Sequence, residues 1–166
     1  MPAPAHSPAR TPWWKSAVAY QVYPRSFMDS NGDGIGDLAG LLSRLDYLQW
    51  LGVDVIWIGP IFDSPNDDNG YDIRDYRAIL PVFGTMEEFE HLLADVHRRG
   101  MKLILDLVLN HVAREHEWAQ QALAGDPAYR DYFHVFPDRT MPDAYERTLP
   151  EVLDLVAAGR LDPLAV

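Results

Sequence analysis

Two hydrophobic rhythms alternate along the chain. Ala17-Val18-Ala19-Tyr20-Gln21-Val22-Tyr23 is a short apolar, partly β-branched run, and Pro24 closes it because proline has no N–H for a sheet ladder; Ser16 to Tyr23 is therefore expected to be a strand. From Leu38 the period changes. Leu38, Leu41, Leu42, Leu45, Leu48 and Leu51 fall at three- and four-residue steps, the spacing of a helix with one buried face, and Gly52 marks its end. Val53-Asp54-Val55-Ile56-Trp57-Ile58 is apolar almost throughout, the pattern of a strand covered on both faces, and Gly59-Pro60 terminates it. A long polar loop is expected from Asp63 to about Pro81. Thr85-Met86-Glu87-Glu88 has the form of a capping box, ahead of a helix that buries Phe89, Leu92, Leu93 and Val96 and stops at Gly100. Lys102 to Leu109 gives a third strand of the buried kind, and Arg114 to Ala124 a shorter helix. From Gly125 the pattern is irregular.

Buried strands linked by helices imply right-handed βαβ crossovers and a parallel sheet, an α/β fold. Two architectures satisfy this pattern: a doubly wound open sheet and the opening part of a (β/α)8 barrel. In both, function sits in the loops that follow the C-terminal ends of the strands. Those loops hold most of the unusual polar residues here. Gly32, Gly34 and Gly36 are interleaved with acids that would repel a pyrophosphate, so a nucleotide-binding sheet is disfavoured.

The bulk numbers narrow the picture further. A chain of 166 residues with 48% apolar content can bury one real core. With 14 Lys and Arg scattered against 25 Asp and Glu, and a net charge of −11, no basic patch forms and nucleic acid is not an expected partner. The absence of Cys removes disulfides and thiolate metal sites. Residues 1–12 are rich in Pro and Ala without an apolar core, which suits a loose tail and not a secretory signal. No apolar run approaches the roughly 20 residues that cross a bilayer, so no membrane partner is expected and a cytoplasmic location is the default.

Three stretches carry candidate chemistry. In Asp29-Ser30-Asn31-Gly32-Asp33-Gly34-Ile35-Gly36-Asp37, oxygen-bearing side chains recur at alternate positions of a Gly-rich turn. Asp29, Asn31, Asp33 and Asp37, with the backbone carbonyl of Ile35, form an oxygen donor set suited to a hard cation such as Ca²⁺. The spacing follows an EF-hand loop for nine positions, but the twelfth, where a bidentate Glu belongs, is Gly40. The competing interpretation is a solvated Asp/Asn/Gly turn. Asp67-Asp68-Asn69-Gly70-Tyr71-Asp72 mixes carboxylates, which accept hydrogen bonds from sugar hydroxyls, with a ring that can cover the apolar side of a pyranose. Asp106 interrupts an apolar strand, where a buried carboxylate is costly unless paired, and His111 at the strand's end can donate to a substrate hydroxyl. His111 and His116 are not in a His-Glu-x-x-His arrangement, so zinc is disfavoured.

Together with Trp13-Trp14-Lys15, Tyr20-Gln21-Val22-Tyr23-Pro24-Arg25-Ser26-Phe27, Gly52-Val53-Asp54-Val55-Ile56-Trp57, Phe83-Gly84-Thr85 and Asp106-x-Val108-x-Asn110-His111, these stretches resemble the N-terminal third of the α-amylase family of glycoside hydrolases. The likeness is to the α-glucosidase and oligo-1,6-glucosidase branch, over about Trp13 to Val152. Tyr132-Phe133-His134-Val135-Phe136-Pro137-Asp138-Arg139 is similar to the start of the family's inserted domain B, with an amylosucrase-like flavour. The resemblance implies a partial (β/α)8 TIM barrel: a tail over 1–12, the first three βα units over 13–124, the start of domain B over 125–152, and an atypical C-terminal tail over 153–166.

It further implies that Asp29, Asn31, Asp33, Ile35 and Asp37 hold a chiefly structural Ca²⁺. Asp68 and Tyr71 would line the subsite for a terminal glucose, with Asp106 bracing it and His111 touching the same sugar. The family's reaction is retaining hydrolysis or glucosyl transfer of α-glucosides, which needs two carboxyl groups about 5 Å apart. In the family these follow the fourth and fifth barrel strands, and this chain offers no catalytic residue for the role. An inactive fragment with an α-glucoside-binding rim is therefore expected, prone to self-association through an exposed barrel edge. The alternative is a non-catalytic calcium- or sugar-binding module.

Overall fold

Three parallel strands form the frame. The computed structural model describes residues 11–147; the expected tails at 1–12, apart from Thr11 and Pro12, and at 153–166 lie outside the described residues, as do 148–152 of the expected domain B start. The chain divides into two compact units, one ending at Gln120 and one beginning at Gln121.

In the first unit, a 3-10 turn (Trp13–Lys15) leads to β1 (Ala19–Val22), α1 (Pro24–Phe27), α2 (Leu38–Ser43), α3 (Leu45–Trp50) and β2 (Val55–Ile58). After these come β3 (Phe62–Asp63), β4 (Asp75–Ile79), α4 (Met86–Arg98) and β5 (Lys102–Leu105), and α5 (Glu117–Leu123) runs across the division. The parallel sheet has the order β1-β2-β5, with Gln21 opposite Trp57 and Trp57 opposite Ile104. One face buries Val22, Ile56 and Ile58 against Leu38, Leu41, Leu45 and Leu48 of α2 and α3 and Leu92 and Val96 of α4. On the other face Gln21, Trp57 and Ile104 are exposed. The second and third strands were expected to be covered on both sides; one side is, and on the other Val55 is buried while Trp57 and Ile104 are not.

The helix expected from Leu38 to Leu51 is two helices with a break at Arg44. The hydroxyl of Ser43 donates to the Gly40 carbonyl at 2.6 Å, and the Arg44 N–H bonds to Leu41 instead. A side chain has thus taken the acceptor that the i−4 ladder required. The buried stripe survives the break through Leu45 and Leu48, but Leu51 is exposed. Pro24, taken as the stop of β1, also occupies the first turn of α1, where its missing N–H costs nothing.

The segment from Asp63 to Pro81 is not all loop. β3 and β4 pair antiparallel, and the Arg74 guanidinium clamps Asp63 with two bonds of 2.7 Å. In Asp75-Tyr76-Arg77-Ala78-Ile79 the half-buried positions alternate with exposed charges, a period-2 signal masked by the polar residues around it. At Thr85 the capping box forms in full: Glu88 N–H donates to the Thr85 hydroxyl and Thr85 N–H to the Glu88 carboxylate. β5 ends at Leu105, four residues short of the expected Leu109.

In the second unit, α6 (Pro127–Arg130) is capped by Asp126, whose carboxylate accepts from Ala128 N–H, and α7 (Thr140–Glu146) follows. Among the described residues no helix is long and apolar enough to cross a membrane.

Candidate sugar site and cation loop

The sheet's C-terminal rim gathers residues that lie far apart in sequence. Asp106 stands one step past β5, half-buried instead of inside the strand, and its N–H donates to the Ile58 carbonyl at 3.2 Å. This corrects the expectation of a carboxylate buried within the strand; of the two compensations expected for it, a cation or several donors, the structure shows the donors. Its partners are neutral donors: the Trp57 indole N–H reaches Oδ1 at 2.7 Å, and the Tyr71 hydroxyl reaches Oδ2 at 2.9 Å. The bond to Asp106, together with burial and the nearby charge of Asp106, holds the Tyr71 phenol above its ordinary pKa. Deprotonating it would set a phenolate against a carboxylate.

His111 joins the same cluster. Asn110 Nδ2 lies 2.8 Å from His111 Nδ1, and His111 Nε2 lies 2.9 Å from the Tyr71 carbonyl. An amide N–H facing Nδ1 and a carbonyl facing Nε2 select the neutral tautomer protonated on Nε2. That proton is directed at the backbone of Tyr71, so His111 fixes the residue that carries the ring. The Tyr76 hydroxyl bonds to the carbonyls of Val108 and His111, the latter at 3.2 Å, and Ala113 N–H donates to Ile73 at 2.9 Å. The segment after β5 is thereby stitched to β4 and the loop before it.

Asp68 and Tyr71 sit on the loop that joins β3 to β4. Asp72 closes its base: Ser64 Oγ donates to one carboxylate oxygen at 2.7 Å and Asp67 N–H to the other at 2.8 Å. Burial pushes the Asp72 carboxyl up, but these bonds outweigh it and hold the group below its ordinary pKa. Asn66 (φ 66°) and Asn69 (φ 54°) adopt left-handed backbone, which asparagine tolerates better than most residues. Asp68 is exposed at the tip, and its carbonyl accepts from Tyr71 N–H at 3.0 Å. Of the expected sugar-site residues, Tyr71, Asp106 and His111 are thus joined by hydrogen bonds, with Asp68 on the same loop as Tyr71. Trp57, Asp72 and Asn110 stood in the quoted motifs without an assigned role, and Tyr76 was not anticipated. An indole in an aliphatic strand and a Ser-x-Asn-Asp run closing on a later Asp were the available signals.

A cavity of about 780 Å³ lies elsewhere, lined by Tyr76, Arg77, Leu107, Leu109, His116 and Trp118 among others. None of Asp68, Tyr71, Asp106 or His111 lines it. In its wall the His116 ring packs edge-on between Tyr76 and Trp118, and its Nδ1 accepts the Trp118 N–H at 3.1 Å. That is a structural histidine.

The acidic loop folds on itself. Asp29 accepts N–H bonds from Asn31, Gly32 and Gly34, Asn31 from Asp33, and Asp33 from Ile35. The Gly34 and Gly32 bonds hold the Asp29 carboxyl below its ordinary pKa. Asp37 is buried, with Oδ1 capping α2 through Gly40 N–H at 2.6 Å and Oδ2 accepting from Ser30. All the donors are oxygens, as a hard cation requires. Among the described residues, however, no three Asp, Glu or His side chains converge as a metal site. The twelfth EF-hand position is closed for a physical reason: a Cβ on Gly40 would lie 2.0 Å from the Met28 carbonyl oxygen.

Comparison with known proteins adds a separate line of observation. The α-amylase catalytic-domain family model matches residues 21–155. The chain is 63% identical over 124 residues to an oligo-1,6-glucosidase of Halalkalibacterium halodurans, covering 74% of this chain and 22% of that protein. It is 54% identical over 125 residues to the trehalose-6-phosphate hydrolase of Bacillus subtilis, covering 75% and 22%. Among solved structures, the trehalulose synthase MutB from Pseudomonas mesoacidophila MX-45 superposes with a TM-score of 0.73 at 58% identity, over 75% of this chain and 22% of that one. The Bacillus licheniformis trehalose-6-phosphate hydrolase gives 0.71 at 52% identity, over 73% and 22%. The chain spans little more than a fifth of the length of these relatives.

Proposed function

This chain belongs to the α-amylase family, and we propose that it forms the first sugar-binding rim of an oligo-1,6-glucosidase-like glycoside hydrolase, built on the opening βα units of a TIM barrel. Asp68 accepts hydrogen bonds from the hydroxyls of a terminal glucose and the Tyr71 ring stacks on its apolar face. Asp106 braces that ring, and His111 holds the Tyr71 backbone beside the same sugar. The observation that carries this proposal is the Tyr71–Asp106 bond, which joins motifs 35 residues apart at one strand rim. The parent reaction is retaining hydrolysis or transfer of α-glucosides. We assign its nucleophile and acid/base to parts of the parent enzyme other than this rim. Positioning groups alone forfeit nearly all of the rate.

The test is turnover of a chromogenic α-glucoside by the purified 166-residue chain. The expected result is none above background, with weak glucose binding that Tyr71→Ala abolishes. Robust turnover lost in Asp68→Ala would overturn the assignment of catalysis to other sequence.

The same proposal assigns a structural Ca²⁺ to Asp29, Asn31, Asp33, Asp37 and the Ile35 carbonyl, a set supported by its all-oxygen chemistry. Bound Ca²⁺ would offset most of the repulsion among three carboxylates crowded into nine residues. A melting temperature that rises with Ca²⁺, and no longer rises in Asp29→Ala, is the expected result. Equal melts with Ca²⁺ and with chelator would remove the cation from the account. A binding module without catalysis is the competing proposal, and tight binding of maltose or Ca²⁺ by calorimetry would favour it.

A further inference from the structure

Trp57 is the aromatic residue of an otherwise aliphatic strand, Val55–Ile58, and it is 39% exposed on the open face of the sheet. A ring so exposed can satisfy its N–H with water. It donates instead to Asp106 Oδ1 at 2.7 Å. The register explains the meeting: Trp57 pairs with Ile104, and Asp106 lies two residues further on, so both side chains project from one face, a single step apart. With Oδ1 held by Trp57, the carboxylate plane is set and Oδ2 is aimed at the Tyr71 hydroxyl at 2.9 Å. The other end of Tyr71 is held through its carbonyl by His111 and through its N–H by Asp68.

We propose that Trp57 is a positioning residue for the Tyr71 ring and acts through Asp106, without contacting the sugar itself. This inference rests on the proposed sugar-stacking role of Tyr71. If Trp57 only fills space on the sheet, Phe serves equally well; if it positions Asp106, loss of the indole N–H frees the carboxylate to rotate away from Tyr71.

The experiment uses the full 166-residue chain, with two readouts. Ionisation of the Tyr71 hydroxyl, which is faced by Asp106, Tyr23 and Asp68, is followed by NMR of ring-labelled tyrosine, and glucose affinity by NMR titration. Trp57→Phe is expected to move the Tyr71 titration toward that of Asp106→Asn and to weaken glucose binding about five- to tenfold. The double variant should bind no more weakly than Asp106→Asn alone. Wild-type values in Trp57→Phe, or losses that multiply in the double variant, would overturn the relay. A shifted titration in a chain that binds no glucose keeps the relay and removes the sugar role. Glucose binding that needs Tyr71 but ignores Trp57 does the reverse. Should Trp57→Phe not fold, the indole N–H resonance of Trp57 in Asp106→Asn decides: displacement supports the bond, and an unmoved signal overturns it.

Discussion

The Tyr71 hydroxyl donates to Asp106 Oδ2 at 2.9 Å, so a loop between two antiparallel strands is tethered to the rim of a separate parallel sheet. The tie is pH-dependent with a definite sign. The folded-state pKa of Tyr71 is raised above the ordinary value, so its contribution to stability is complete below about pH 10 and is lost as pH rises through the folded value. Asp106→Asn is expected to bring the Tyr71 titration back toward that of a free tyrosine, as read from phenolate absorbance. An unchanged titration would mean that burial, and not Asp106, is the cause.

At the acid end the loop between β3 and β4 carries the opposite dependence. The Arg74 hydrogen bond and charge depress the Asp63 carboxyl, and the bonds at Asp72 depress that group against its burial. Their contribution is present above about pH 4 and falls away as pH drops through the folded values. Ser64→Ala removes the 2.7 Å donor to Asp72 from a buried position and is expected to cost about 1–3 kcal/mol. Urea midpoints at pH 7 measure it, and the difference from wild type should shrink at low pH.

Gly36 lies against the turn that follows β1. A Cβ there would meet the Pro24 carbonyl oxygen at 2.1 Å, a backbone atom that no rotamer change relieves. Gly36→Ala is therefore expected to destabilise by about 2 kcal/mol or more, as overpacking does. Gly52→Ala serves as the control. Its Cβ meets nothing within 4 Å, so only the strain of a φ of +86° is added. A Gly36 variant no less stable than the Gly52 variant would contradict the close approach.

The core beneath the sheet makes a separate prediction. Leu48 is fully buried beside Ile56 and Leu92, and Leu48→Ala should cost about 2–5 kcal/mol in thermal or denaturant unfolding. Leu51→Ala, helical spacing from Leu48 notwithstanding, should cost far less because Leu51 is 47% exposed.

The bare face of the sheet bears on association. Trp57 at 39% and Ile104 at 51% exposure lie side by side, next to strands whose outer edges have no partner among the described residues. Self-association at micromolar concentration is proposed, reduced by Ile104→Lys. Sedimentation velocity would show it, and a monodisperse monomer would rule it out.

Much of this architecture was legible in the residues because each signal was local. The Thr85–Glu88 box, the leucine stripe and the three apolar runs specify their elements through near neighbours. What could not be seen depended on competition or distance. The break at Arg44 follows from one hydroxyl outbidding the helix ladder for the Gly40 carbonyl. The β3–β4 pair is short and polar, held by an Arg74–Asp63 contact across the hairpin. In the candidate site, Tyr71, Asp106 and His111 announced themselves by residue type. Trp57 did not, because its part depends on register between strands that lie 47 positions apart, from Ile104 back to its partner.

The Met28 carbonyl at the Gly40 backbone reserves that position for glycine, so the entrance to α2 is held by main-chain packing as well as by the Asp37 cap. The half-buried Asp29 and the exposed Asp33 instead accept N–H bonds within the turn itself. Substitution there removes bonds and negative charge from the turn without touching the Met28–Gly40 approach. The charge of this turn can therefore drift with sequence change, while the glycine at its far end cannot.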